Sequence, residues 1–130
     1  EELRRCFYLL PTLIEGLSPS CRTNQEEIFG PVATLIPFDT EEEVIQYANG
    51  TVYGLAASLW TKDVSRAHRV AHQLETGICW INTWGESPPQ MPVGGFRQSG
   101  IGIENGLETL FRHTRVKSIQ VEMGQFNPAF

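Results

Sequence analysis

The sequence predicts an α/β fold with a mostly parallel sheet, and three observations carry that reading. Short apolar runs bounded by Gly, Pro or Asp alternate with two capped amphipathic segments, in the order strand, helix, strand, helix, strand. The connections between them are brief, which favours right-handed crossovers in a βαβαβ core. An antiparallel pair has no need of a helix between its strands.

Taken in chain order, Cys6–Leu10 has the composition of a first strand, and Val32–Ile36 follows the Gly30-Pro31 turn as a second. Thr40 and Glu43 form a capping box ahead of Val44, Ile45 and Ala48, and Gly50 stands at the stop, so the spacing predicts a helix over 41–49. Ala56–Trp60 reads as the next strand. Asp63 caps a second helix, in which Val64, Ala67, Ala71 and Leu74 recur at spacings of three and four before Gly77 ends it. Ile78–Asn82 is the third strand of the core. Residues 83–103 are rich in Pro and Gly and are expected as a long loop at the sheet edge. A helix near 104–111 follows, and then Arg115–Glu122 alternates polar with apolar residues, as a half-buried strand does.

Composition sets limits on function. At 130 residues and 41% hydrophobic positions, the chain suits one domain that buries roughly two thirds of its unfolded surface. No apolar run approaches the roughly 20 residues of a membrane span, so no membrane partner is expected. A net charge of −5 with no Lys/Arg stripe argues against nucleic acid. Cys6, Cys21 and Cys79 are too scattered for a disulfide framework or a CxxC knuckle, which points to a reducing, cytoplasmic setting. The opening Glu1–Arg5 contains neither an initiator Met nor a secretory h-region, and the chain is expected to be a piece of something longer.

Several chemical signals weaken on inspection. His68 and His72 are four apart on one helix, yet Arg69, Val70 and Ala71 between them supply no HExxH glutamate and no third ligand is evident. Gly100, Gly102 and Gly106 are spaced GxGxxxG and follow no strand, unlike a dinucleotide fingerprint. Cys79 lies in an apolar strand, where desolvation suppresses its thiolate, and Cys6 and Cys21 have no neighbouring His. No nucleophile stands out.

The strongest signal is Glu26-Glu27-Ile28-Phe29-Gly30-Pro31-Val32, a carboxylate pair, an aromatic ring and a Gly-Pro turn leading into a strand. It resembles the aldehyde dehydrogenase motif bordering the nicotinamide end of the cofactor. The similarity continues through Tyr53–Ala56, Gly77–Asn82 and Pro92–Gly95, covering about Phe7 to Glu122. The resemblance implies a three-layer α/β fold, with 1–113 as the C-terminal part of the catalytic domain and 114–130 as an oligomerisation strand and tail. It implies NAD or NADP as cofactor, with Glu27 accepting hydrogen bonds from the nicotinamide ribose and Phe29 packed near the ring. Glu104 matches an acidic residue given a charge-relay role. The family's catalytic Cys, general-base Glu and cofactor domain would all lie upstream, so this segment alone should lack activity.

Within the family, Trp80–Pro88 followed by Met91–Gly95 looks most like bacterial betaine aldehyde dehydrogenases. That likeness places Trp84, Glu86 and Val93 at the substrate, where an indole face and a carboxylate suit a quaternary ammonium. Arg97 stands where those enzymes commonly carry Lys, and Ile103 where Arg is usual. A potassium site formed by the carbonyls of Arg97 and Gly100 would be indifferent to side-chain identity. Cys21–Glu27 and Pro37–Asp39 also resemble dehydrogenases of muconic semialdehydes, whose substrates are anionic. The implied partners are a small aldehyde and further copies of the subunit, as dimer or tetramer. A truncated, non-catalytic oligomerisation module using Val116–Val121 is the alternative from another class.

Overall fold

A computed structural model describes residues 6–126, 128 and 129. The Glu1–Arg5 opening lies outside the described residues. The elements run β1 (Thr12–Glu15), α1 (Arg22–Gln25), β2 (Val32–Leu35), α2 (Glu41–Asn49), β3 (Tyr53–Gly54), β4 (Ala56–Leu59), α3 (Val64–Ala71), β5 (Ile78–Ile81), β6 (Val93–Gly94), β7 (Phe96–Arg97), β8 (Ile103–Glu104) and α4 (Gly106–Arg112). The class is α/β, as expected, and both helices predicted from their caps are present.

Local chemistry explains those helices. Thr40 Oγ1 accepts from the Glu43 amide at 3.1 Å, while Glu43 Oε2 reaches back to the Asp39 amide at 2.7 Å, one residue before the Thr40 amide of an ideal capping box. Asp63 Oδ1 accepts from the Arg66 amide at 3.0 Å and starts α3. That helix ends at Ala71, with His72 as its C-cap, short of the expected stop before Gly77. Its apolar face supplies Ala67 and Val70, which are buried with Ile78 of β5. On its polar face, Arg69 grips Glu41 of α2 with two hydrogen bonds of 2.6 and 2.9 Å. The same pairing lowers the Glu41 pKa.

The strands depart from the single parallel sheet of a βαβαβ core. Four two-stranded ladders form: β1·β2 and β4·β5 parallel, β3·β7 and β6·β8 antiparallel. α3 does connect a parallel pair, with Ala56 opposite Ile78 and Leu59 opposite Ile81. β2, however, pairs with β1 instead of β4. Periodicity identifies a strand but not its partner.

Two other expectations are corrected. Cys6–Leu10 is not a strand; the first strand is Thr12–Glu15, where Thr12 donates its amide to Pro31 O at 2.8 Å and fixes the register against β2. The 83–103 segment contains β6, β7 and the start of β8, because close Gly–Gly approaches allow extended backbone to pair there. Arg115–Glu122, expected to pair with a neighbouring subunit, forms no strand within the described residues of the single chain. Its alternation needs a facing edge, and without one Val116 and Ile119 are 98% and 75% exposed.

The chain exposes 11451 Å². A compact monomer of 14.6 kDa exposes about 6,900 Å² and its unfolded chain about 21,000 Å². Less than half of the unfolded surface is therefore buried, not two thirds.

Candidate functional site

The segment carrying the strongest sequence signal folds into a concavity. Helix α1 stops at Glu26, whose carboxylate is occupied by Arg22 Nε at 2.8 Å. Among the described residues, no hydrogen bond or ion pair engages the neighbouring Glu27 carboxylate, and the residue is exposed. Two residues on, Phe29 takes φ +53° and is 91% exposed. A bulky residue in the left-handed region costs about 1–2 kcal/mol. Gly30 and Pro31 then turn the chain into β2, with the Val32 amide closing on Gly30 O at 2.8 Å. Thr23, Glu26, Glu27, Phe29 and Thr34 are among the residues around a hollow of about 340 Å³. That volume lies at the small end of ligand pockets. A free carboxylate beside an exposed phenyl ring fits the hydroxyls of a ribose and the ring attached to it, so the residues present suit the nicotinamide end of a dinucleotide.

A second cluster gathers after β5. Asn82 adopts φ +56° and Gly85 φ +80°, and between them Trp84 is 75% exposed. Glu86 is exposed, with its carbonyl accepting from Trp80 Nε1 at 2.6 Å. The antiparallel pairing of β6 with β8 sets Val93 opposite Glu104, so two residues singled out separately in the sequence are cross-strand partners.

Arg97 pairs with Tyr53 in the β3·β7 ladder and has φ +53°. Its guanidinium ion-pairs with Glu75 and donates to Asn49 O at 2.7 Å and to Thr51 O, holding the turn after α2. Gly100 has φ +136°, a conformation that side chains rarely adopt. No hydrogen bond or shared concavity links the Glu27 hollow to Trp84, Glu86, Val93 or Glu104 among the described residues.

Other groups are accounted for structurally. Among the described residues, no three His, Cys, Asp or Glu side chains gather into a metal cluster. Cys79 is part-buried, and burial pushes its thiol pKa up. Sequence reasoning missed two organising asparagines. Asn49 bridges Gln73 O and the Glu75 amide at 2.8 and 2.9 Å. Asn82 bridges the amide and carbonyl of Thr61, both at 2.8 Å. An Asn just before a Gly, or at the end of an apolar strand, was the available signal, since Asn tolerates left-handed backbone and can mimic a peptide.

The sequence model of the aldehyde dehydrogenase family matches residues 1–119. The chain belongs to the aldehyde dehydrogenase family. Solved members of similar fold include indole-3-acetaldehyde dehydrogenase of P. syringae in complex with NAD+ and IAA, 43% identical, with TM-score 0.83 over 89% of this chain and 23% of that one. Betaine aldehyde dehydrogenase of Staphylococcus aureus, in complex with NAD+, is 44% identical, with TM-score 0.83 over 87% of this chain and 22% of that one. An NAD-dependent aldehyde dehydrogenase of Sinorhizobium meliloti is 35% identical, with TM-score 0.85 over 95% of this chain and 24% of that one. This aldehyde dehydrogenase chain thus spans about a quarter of the length of those relatives.

Proposed function

We propose that the chain is the C-terminal segment of an NAD-dependent aldehyde dehydrogenase, in which Glu27 and Phe29 border the nicotinamide end of the cofactor. The observation that carries this reading is the unengaged Glu27 carboxylate beside the outward, left-handed Phe29. NAD+ complexes of proteins 43% and 44% identical support NAD as cofactor. The large exposed surface supports a segment that completes its core against further chain, which would also join the β1·β2 and β4·β5 pairs into one three-layer sheet.

The reaction takes an aldehyde, NAD+ and water to a carboxylate, NADH and two protons. When bound, NAD+ supplies the hydride acceptor. Glu27 would hold the ribose through two accepted hydroxyl hydrogen bonds and so limit the swing of the ring it carries. Phe29 would shield that face from water. Trp84, Glu86 and Val93 would line the aldehyde pocket, and Glu104, opposite Val93, would take the charge-relay role. Carbonyls of Arg97 and Gly100 would offer oxygen ligands to potassium. Residues 114–130 would pair with a neighbouring subunit to build a dimer or tetramer, and residues 1–113 would belong to the catalytic domain. The scattered positions of Cys6, Cys21 and Cys79 suit a reducing, cytoplasmic setting.

Betaine aldehyde is the favoured substrate, because the exposed Trp84 ring and the Glu86 carboxylate sit on one loop and suit a cation. Indole-3-acetaldehyde and muconic semialdehydes are the competing classes. Turnover of an aldehyde panel with NAD+ and with NADP+ by the full-length enzyme tests the reading. Trp84→Ala should weaken betaine aldehyde by about 0.5–2 kcal/mol and a neutral aldehyde less. Equal losses on both would overturn the cationic substrate.

A further inference from the structure

The loop between β5 and β6 is polar and contains a left-handed glycine, yet it is tied down along its length. Ser58 Oγ donates to Thr83 O at 2.6 Å, and the Asn82 amide group holds both backbone atoms of Thr61. Farther on, the Met91 amide closes a turn on Pro88 O and the Gly106 amide donates to Pro89 O, each at 2.8 Å. Between these anchors stand Trp84, Gly85 and Glu86. Among the described residues, the tie there is one side chain: Trp80 reaches forward from β5 and donates its indole N–H to Glu86 O.

We propose that Trp80 is a positioning residue for substrate selection, its indole N–H fixing Glu86 O so that the Trp84 ring and the Glu86 carboxylate meet a cationic aldehyde in a preformed arrangement. The proposal rests on the reading above that Trp84 and Glu86 face the substrate. The indole N–H is a donor only, so Trp80 can only give this hydrogen bond, here to the carbonyl of the residue that bears the carboxylate. Occupying that carbonyl sets the direction of the Glu86 backbone and, through Gly85, the direction from which Trp84 projects. Attraction of a cation to a ring and a carboxylate depends on both groups standing at the right separation, whereas a neutral aldehyde makes little use of it. Holding the loop before binding removes an ordering cost that the substrate would otherwise bear.

The test is Trp80→Phe in the full-length enzyme, which keeps the aromatic ring and deletes the N–H. Hydrogen exchange of the amides of residues 83–87 should speed up by roughly threefold to tenfold, the span expected for one net hydrogen bond. The KM for betaine aldehyde should rise by about the same factor, with kcat and the KM for a neutral aldehyde of similar size within about twofold. A purely structural role would shift both substrates alike. Unchanged exchange overturns the proposal, as does a freed loop with an unaltered preference for the cation. Trp84→Ala is measured in parallel. Loss of preference there but not in Trp80→Phe rejects the positioning role and leaves the substrate reading intact; no loss in either variant rejects both.

Discussion

Replacing Gly77 by Ala would drive a methyl group into a neighbouring backbone. Gly77 precedes β5 and donates its amide to Gly54 O at 3.1 Å, so it is held at its own position. A Cβ built there overlaps the Gly94 carbonyl and comes within 3.3 Å of the Gly95 amide nitrogen. Gly94 cannot retreat freely, because it is paired with Ile103 in the β6·β8 ladder. Overpacking costs about 1–3 kcal/mol, and an obstacle made of hydrogen-bonded backbone places this variant near the top, at about 3 kcal/mol. The control is Gly102→Ala, where no heavy atom lies within 4 Å of the new methyl and no positive φ opposes it. That change should be neutral or stabilise by about 0.4–1 kcal/mol through the unfolded chain. Urea unfolding of the full-length enzyme, followed by circular dichroism, compares the two midpoints. A Gly77→Ala variant as benign as Gly102→Ala would refute the close approach of β5 to β6.

Glu41, Glu43 and Asp63 have depressed pKa values, caused first by the Arg69 hydrogen bond, the Asp39 amide and the Arg66 amide respectively. A folded pKa below the unfolded one gives stability that is present above the unfolded value and lost as pH falls through the folded value. The urea midpoint should therefore drop below about pH 4.5, and Arg69→Gln should flatten that drop. Burial raises the Cys79 pKa, so native Cys79 should alkylate more slowly than the same residue in the denatured chain; equal rates would place it on an open surface. Deleting residues 114–130 should lower the oligomeric state measured by light scattering. An unchanged oligomer would remove the pairing role from Arg115–Glu122.

The parts of the fold legible in sequence were those fixed by neighbours along the chain. Thr40 and Asp63 announce their helices because a cap acts within three residues. Val32–Leu35, Ala56–Leu59 and Ile78–Ile81 stand out because short apolar runs with turn residues at their ends have few alternatives. Pairing was not legible. Whether β2 meets β1 or β4 depends on contacts between distant residues, and the two-residue strands β3, β6, β7 and β8 are too short to show a period. Thr12–Glu15 carries little signal because it is four residues long and follows the more apolar Cys6–Leu10. At the site, motif likeness singled out Glu27, Phe29, Trp84 and Glu104. It missed Asn49, Asn82 and Trp80, whose effect lies in backbone groups they hold up to 26 residues away.

Glu27→Gln in the full-length enzyme tests the central claim most directly. One charge-assisted acceptor becomes a neutral amide that can also donate, so the ribose hydroxyls lose a well-matched partner while the hollow keeps its shape. Stopped-flow measurement of NADH formation, alongside NAD+ affinity, separates hydride transfer from binding and product release. The account predicts slower hydride transfer, by roughly tenfold or more for a lost charged hydrogen bond, with or without weaker NAD+ binding. Unchanged hydride transfer together with unchanged NAD+ affinity would show that Glu27 does not hold the ribose.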